Sequence, residues 1–148
     1  MKFTFFLIIL FSLSKLYSQD IYFTSNLSQN SKDVYFTSRV TQNSKDIYFS
    51  DRVTQNTIDI YVTNSSSYCD IEVSSNLTNY TTDIYFSSSL TQNTTDIYLS
   101  DRVTQNSTDI YLTDNPINAK YTICLPYGFK YDYRHIASIV ALYLIKDE

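Results

Sequence analysis

Apolar and polar residues alternate in short runs along most of the chain, and the runs return at a fixed interval, as from Ile84 to Ile97 and on to Ile110. In Asp96-Ile97-Tyr98-Leu99-Ser100 the apolar Ile97 and Leu99 fall on one side of an extended chain, and Tyr98 and Ser100 on the other. The same alternation sets Ile21 and Phe23 against Tyr22, and Ile84 and Phe86 against Tyr85. β-Branched and aromatic residues suit such a pleated, half-buried surface, so each run predicts a short strand. A Ser-Asp or Ser-Asn step follows, as in Ser100-Asp101 and Ser25-Asn26, and reads as a turn because these side chains bond to the local backbone. One apolar residue comes next (Leu27, Val40, Val53, Leu90, Val103) and is expected to anchor a polar return built from Gln-Asn and small hydroxyl residues.

The copies begin at Asp20, Asp33, Asp46, Asp59, Asp70, Asp83, Asp96 and Asp109, at a spacing of 13 except for one step of 11 between Asp59 and Asp70. Counted from the apolar residues, Ile60 to Val73 is a full step and the short one falls between Val73 and Ile84. Either way the register slips once. Fixed-period self-similarity governs the fold. One unit cannot bury its apolar face alone, so the copies must cover one another. The expectation is a compact all-β domain over residues 20–148, with repeats to about residue 124 and a divergent segment over 125–148.

Residues 47–57 (Ile-Tyr-Phe-Ser-Asp-Arg-Val-Thr-Gln-Asn-Thr), Ile60 to Val73 and Ile110 to Ala119 resemble the 13-residue repeat of the septoil-knot, or 7(1) knot, domain family. That repeat runs roughly Val-Tyr-Phe-Val-Asp-Ser-x-Tyr-x-Ala-Asp-Leu-Lys. Tyr68-Cys69-Asp70-Ile71-Glu72-Val73 is similar to its Tyr-x-Ala-Asp-Leu-Lys-Val segment, with Cys69 on the Ala and Asp70 on the Asp. Thr113 to Lys120 is similar to its Val-Asp-x-x-Tyr-x-Ala-Asp segment. Most copies here carry Asn-Ser or Asn-Thr where the family has Ala-Asp. The resemblance covers residues 20 to 124 and implies a small all-β domain threaded into a seven-crossing torus knot, in a family without an assigned activity. The competing expectation is an unknotted β-solenoid in which identical positions stack. Stacking would pile the repeat Asp residues into an unfavourable like-charge ladder, which favours the threaded form.

Residues 1–19 read as a signal peptide: Lys2 supplies the positive start, Phe3 to Leu13 the apolar run, and Ser18 a small residue for cleavage beside Gln19. The run is shorter than the ~20 residues that span a bilayer. Loss of this leader with Lys2 and Lys15 takes the net charge from −4 to −6. That weighs against nucleic acid or an anionic membrane as partner, since both select clustered Lys and Arg. The expected location is the cell exterior or periplasm. The single glycine, Gly128, lies outside the repeats, so the turns are expected to rest on Asn, Asp and Ser.

Few residues invite chemistry. The eight repeat Asp residues lack the converging oxygens and the glycine turn of a calcium loop, and are expected to be solvated strand starts or turn caps. Cys69 and Cys124, the only cysteines, are expected to pair in an exported chain. A Cys–His nucleophile with His135, the sole histidine, lacks any visible orienting partner. Tyr22, Tyr35, Tyr48, Tyr61, Tyr85, Tyr98 and Tyr111 form a set opposite the Ile/Phe face, broken by Glu72. They are expected to be a second packing face or, functionally, a stacking surface for sugars. Ser and Thr alternate at the strand ends, which makes a weak case for a flat Thr ice-binding array.

Beyond Ile123-Cys124-Leu125, still strand-like, and the turn Pro126-Tyr127-Gly128, the uncharged run Ile136 to Ile145 is a buried strand or a short helix, and periodicity does not separate the two. Its expected use is to cover an open sheet edge. The functional expectation is a secreted, non-enzymatic structural or binding domain without catalytic, cofactor or metal residues. The alternative is a carbohydrate- or surface-binding module for a glycan or cell-envelope component.

Overall fold

The structure is a computed structural model that describes residues 18–65 and 68–145. Apart from Ser18 and Gln19, the expected leader lies outside the described residues. Each copy forms its predicted strand: β1 (Gln19–Thr24), β2 (Lys32–Thr37), β3 (Lys45–Phe49), β4 (Ile58–Thr63), β5 (Ile71–Val73), β6 (Thr82–Phe86), β7 (Thr95–Ser100) and β8 (Thr108–Thr113). A ninth strand, β9 (Tyr121–Cys124), places Ile123 one full repeat after Ile110. The first strand begins one residue before the first repeat Asp, at Gln19, whose Nε2 donates to Thr82 Oγ1 at 3.0 Å.

All pairings are parallel, and the sheet closes into a barrel in the order β1-β5-β9-β4-β8-β3-β7-β2-β6. Strands therefore pair with strands four or five copies away, β5 with two that are four away, and never with the next copy. Partners are offset by 52 in sequence number in one direction, as in Ile47↔Leu99 and Ile71↔Ile123, and by 61 in the other, as in Phe36↔Ile97. Every pairing of the smaller offset from β1 to β4 spans the short step, which shortens four repeats by two residues. The ladder consequently sets Asp46 against Tyr98 and Asp59 against Tyr111 instead of Asp against Asp. The β5–β9 pairing lies beyond the short step, and there the two core residues Ile71 and Ile123 meet directly. In β5 both Ile71 and Val73 are buried, and Val73 pairs with Ile21.

This arrangement overturns the β-solenoid alternative. Consecutive copies do not stack: each connection steps two strands round the barrel, always in the same sense. The connection from β1 to β2 thus passes the intervening β6. It runs outside, with residues 25–30 exposed, because the interior is occupied.

Eight residues of one repeat position, Ile21, Val34, Ile47, Ile60, Ile84, Ile97, Ile110 and Ile123, point inward and are fully buried. What they enclose is the C-terminal run. It forms a helix, α1 (Tyr133–Ile139), that continues as a π-helical turn over Val140–Leu144. Ile136, Ala137, Ser138, Ile139, Val140 and Ala141 are all fully buried. Six consecutive helical residues face every direction, so the helix is surrounded, and it sits inside the barrel. The expected edge-covering role is thereby corrected: a closed barrel has no edge, and the segment fills the lumen instead.

Local chemistry places the plug. Asp132 caps α1, its Oδ1 accepting from the backbone N–H of Arg134 at 2.9 Å and of His135 at 3.2 Å. The His135 ring returns to Asp132, with Nδ1 3.2 Å from the backbone nitrogen, which completes a capping box. Rings from the strand ends, with Phe129 of the connection before α1, receive this turn: Phe23, Phe86 and Phe129 pack on His135, Phe49 stacks on Tyr133 at 4.3 Å, and the Arg134 guanidinium lies 4.5 Å over Phe36. The buried Ser138 hydroxyl donates back to the Arg134 carbonyl at 2.7 Å. At the other end, Lys45 of β3 reaches inward and its Nζ donates to the Ala141 carbonyl at 2.9 Å, a cation at the negative end of the helix.

Candidate binding surface

With the lumen filled, the residues that alternate with the core make the outer wall. Tyr22, Tyr35, Tyr48, Tyr61, Tyr85, Tyr98 and Tyr111 all lie there, and all are half-buried. They do not form a continuous aromatic strip. The register places an Asp beside most of them: Tyr22 pairs with Asp83, Tyr35 with Asp96, Tyr48 with Asp109 and Tyr85 with Asp33. Glu72, which interrupts the Tyr set, stands beside Asp20.

Hydroxyl side chains fix the loops that cross this wall. At the strand ends Thr37, Ser50 and Ser100 each donate to the carbonyl two residues on and accept that residue's N–H, at 2.6–3.3 Å. At the start of the next strand a second hydroxyl bridges the turn to the repeat carboxylate. Ser31 Oγ reaches Asp33 Oδ1 at 2.7 Å, Ser44 reaches Asp46 at 3.1 Å, and Thr94 reaches Asp96 at 2.9 Å. The repeat Asp residues are thus strand-start acceptors separated by Tyr. Among the described residues, no three His, Cys, Asp or Glu side chains converge on one point. The strand-end hydroxyls are occupied by turn bonds on a curved wall, which is not the flat array an ice surface would meet.

The loop residues expected to be anchors are not buried. Leu27, Val40, Val53, Leu77, Leu90 and Val103 are 55–64% exposed. Their turns are held by hydroxyl bonds, so no apolar anchor is needed. Three of them, Leu27, Val40 and Leu90, instead form a wall of a cleft between neighbouring loops. One cleft, about 540 Å³, is lined by Leu27, Gln29, Ser31 and Asp33, with Asn93 from the adjacent loop. The next, about 700 Å³, has Leu90, Gln92, Thr94 and Asp96, with Asn43 and Lys45 from its neighbour. The third, about 590 Å³, has Val40, Gln42, Ser44 and Asp46, with Asn106. The alternation of apolar and polar positions gave no hint of these clefts, because their Asn comes from a loop several repeats away in the chain. The Gln-Asn step that follows Leu27, Val40 and Leu90 was their one visible signal.

A separate cavity of about 290 Å³ lies where Val62, Thr63 and Asn64 meet Leu125, Pro126 and Phe129. Nearby, Cys69 and Cys124 form the expected disulfide, with Cα atoms 5.7 Å apart. It joins the end of β9 to a residue two positions before the shortened β5. The Asp70 carboxylate reinforces the same seam, accepting from the Thr122 N–H at 2.7 Å and from the Tyr68 hydroxyl at 2.9 Å. The second of these bonds, with smaller contributions from burial and the Asp70 charge, raises the Tyr68 pKa above the usual tyrosine value. The disulfide consumes the thiol that a Cys–His pair would require, and His135 belongs to the helix cap.

The disulfide is compatible with an oxidising, extracytoplasmic location. Among the described residues, no helix is long and apolar enough to cross a membrane. No protein-family profile, curated protein or solved structure matches the chain.

Proposed function

We propose that this chain is a secreted, non-enzymatic module that binds or braces a component of the cell exterior, with a threaded backbone of the septoil-knot kind. The observation that carries the functional reading is the plugged barrel: the lumen, where barrels commonly hold ligands, is occupied by the chain's own helix. Residues able to meet a partner therefore lie on the outer wall and its loops. The threading is supported by connections that each advance two strands in one sense round a filled, closed barrel. A bulky folded domain fused to the C-terminus should slow folding of the newly made chain, whereas an unthreaded path would be indifferent to it.

The second reading is carbohydrate or surface binding through the outward Tyr set, favoured by seven half-exposed rings on one wall. Residues 20–148 should be tested for saturable capture by the producer's envelope, beside Tyr98→Ala and Tyr111→Ala. Capture lost in those variants assigns the Tyr wall. Absence of capture by a folded, heat-resistant protein leaves the purely structural role.

A further inference from the structure

We infer that the three loop clefts are successive subsites for one neutral, polyhydroxylated chain, such as a linear glycan; this rests on the binding reading above and locates it in the loops, away from the Tyr wall. The clefts are equivalent by construction. Each has an aliphatic wall (Leu27, Leu90 or Val40), a Gln two residues on, a carboxylate held by a hydroxyl, and an Asn from the neighbouring loop. They serve β2, β7 and β3, which are consecutive in the barrel order. The subsites therefore follow one another along the barrel rim, one strand apart, and a ligand whose own units repeat can fill them in turn.

The lining selects the chemistry. Side-chain amides both donate and accept, and a carboxylate accepts from hydroxyl groups, so each cleft offers complementary bonds to an alcohol-rich unit. The aliphatic wall covers the apolar C–H face of such a unit. A phosphate or sulfate polymer would meet a carboxylate in every subsite and a cation in only one, Lys45, whose Nζ bonds to the Ala141 carbonyl. An extended peptide has no unpaired strand to join, because the barrel is closed. Linked subsites add affinity through effective concentration without new kinds of contact, so binding should rise with ligand length.

The test is calorimetric titration of residues 20–148 with neutral glucans and N-acetylglucosamine oligomers of graded length. Affinity for one series should climb with length. Gln42→Ala combined with Gln92→Ala, both at exposed positions, should weaken the longest oligomer roughly tenfold or more and the monomer far less. Tyr98→Ala should bind as the parent does. Length-independent binding, or binding lost in Tyr98→Ala and kept in the Gln variant, would overturn the inference. Envelope capture without any glycan binding would also overturn it while leaving the binding reading intact. Failure of both would remove the two together.

Discussion

Asp46 of β3 lies directly beside Tyr98 of β7, although four exact repeats would have set Asp beside Asp at this offset. Asp46 is only 8% exposed, and a carboxylate so placed tolerates a phenol ring and the Ser44 hydroxyl far better than a second carboxylate. The two residues missing between Asp59 and Asp70 produce this offset wherever a ladder spans them.

At one place the offset brings like charges together, because Glu72 occupies a Tyr position beside Asp20. Glu72→Gln should therefore raise stability by about 0.2–1 kcal/mol, the scale of a cross-strand pair. A thermal midpoint that rises at low salt and converges on the parent at high salt is the expected result. An unchanged midpoint at low salt would show that solvent already screens the pair.

Two apolar residues of adjacent repeat units should respond very differently. Ile97→Ala empties part of the filled lumen and should cost about 2–5 kcal/mol. Leu90→Ala removes an exposed side chain and should stay within about 0.5 kcal/mol. Chemical denaturation of both variants measures the contrast.

The disulfide closes a loop across a sequence separation of 55, which the chain-entropy treatment values at about 4 kcal/mol. β5 has only three residues and pairs with β9 at two positions, so beyond the Asp70–Thr122 bonds the disulfide is the main hold on this seam. Cys124→Ser should lower stability by that order. The intact mass of the parent should correspond to two protons fewer than the dithiol.

Acid should loosen the plug at its cap. Burial works to raise the Asp132 carboxyl pKa, but bonds from the His135 side chain and backbone, its charge, and the Arg134 N–H outweigh it, and the net shift is downward. The folded state then holds fewer protons than the unfolded chain between the two pKa values. The contribution is complete above the ordinary Asp value of about 3.9 and is lost as pH falls through the lower folded value. Asp132→Asn should keep most of the cap and flatten this acid limb. Asp132→Ala should cost about 1 kcal/mol at neutral pH.

Removing the plug should be far worse than any of these. A chain ending at Asp132 leaves the inward Ile ring around an empty lumen and should be insoluble. A soluble truncation with intact strand signal would show that the wall closes without its filling.

The strands, their inward and outward faces and the disulfide pairing were legible because each follows from local alternation or from a count of two cysteines. The barrel was not, since its ladders join partners as distant as Asp46 and Tyr98, or Phe36 and Ile97, and no local pattern encodes which copy is the neighbour. Ile136 to Ile145 resisted assignment for a related reason: a helix buried on all sides has no polar stripe to reveal its period. Leu27, Val40 and Leu90 misled because an isolated apolar residue in a polar loop looks like an anchor, whereas Ser and Thr hydroxyls hold these turns.

The wide sequence separation of neighbouring strands also governs when the fold can appear. β1 has no partner until β5 exists, and its second partner, β6, comes later still. The lumen stays empty until the last segment, α1, has been made. Within the first half of the chain only the three-position β1–β5 ladder can form, so loop-closure entropy is met late and folding is slow. A polypeptide built this way leaves its first four strands as separate segments while their partners are still being made, and becomes a filled barrel only once α1 has followed them.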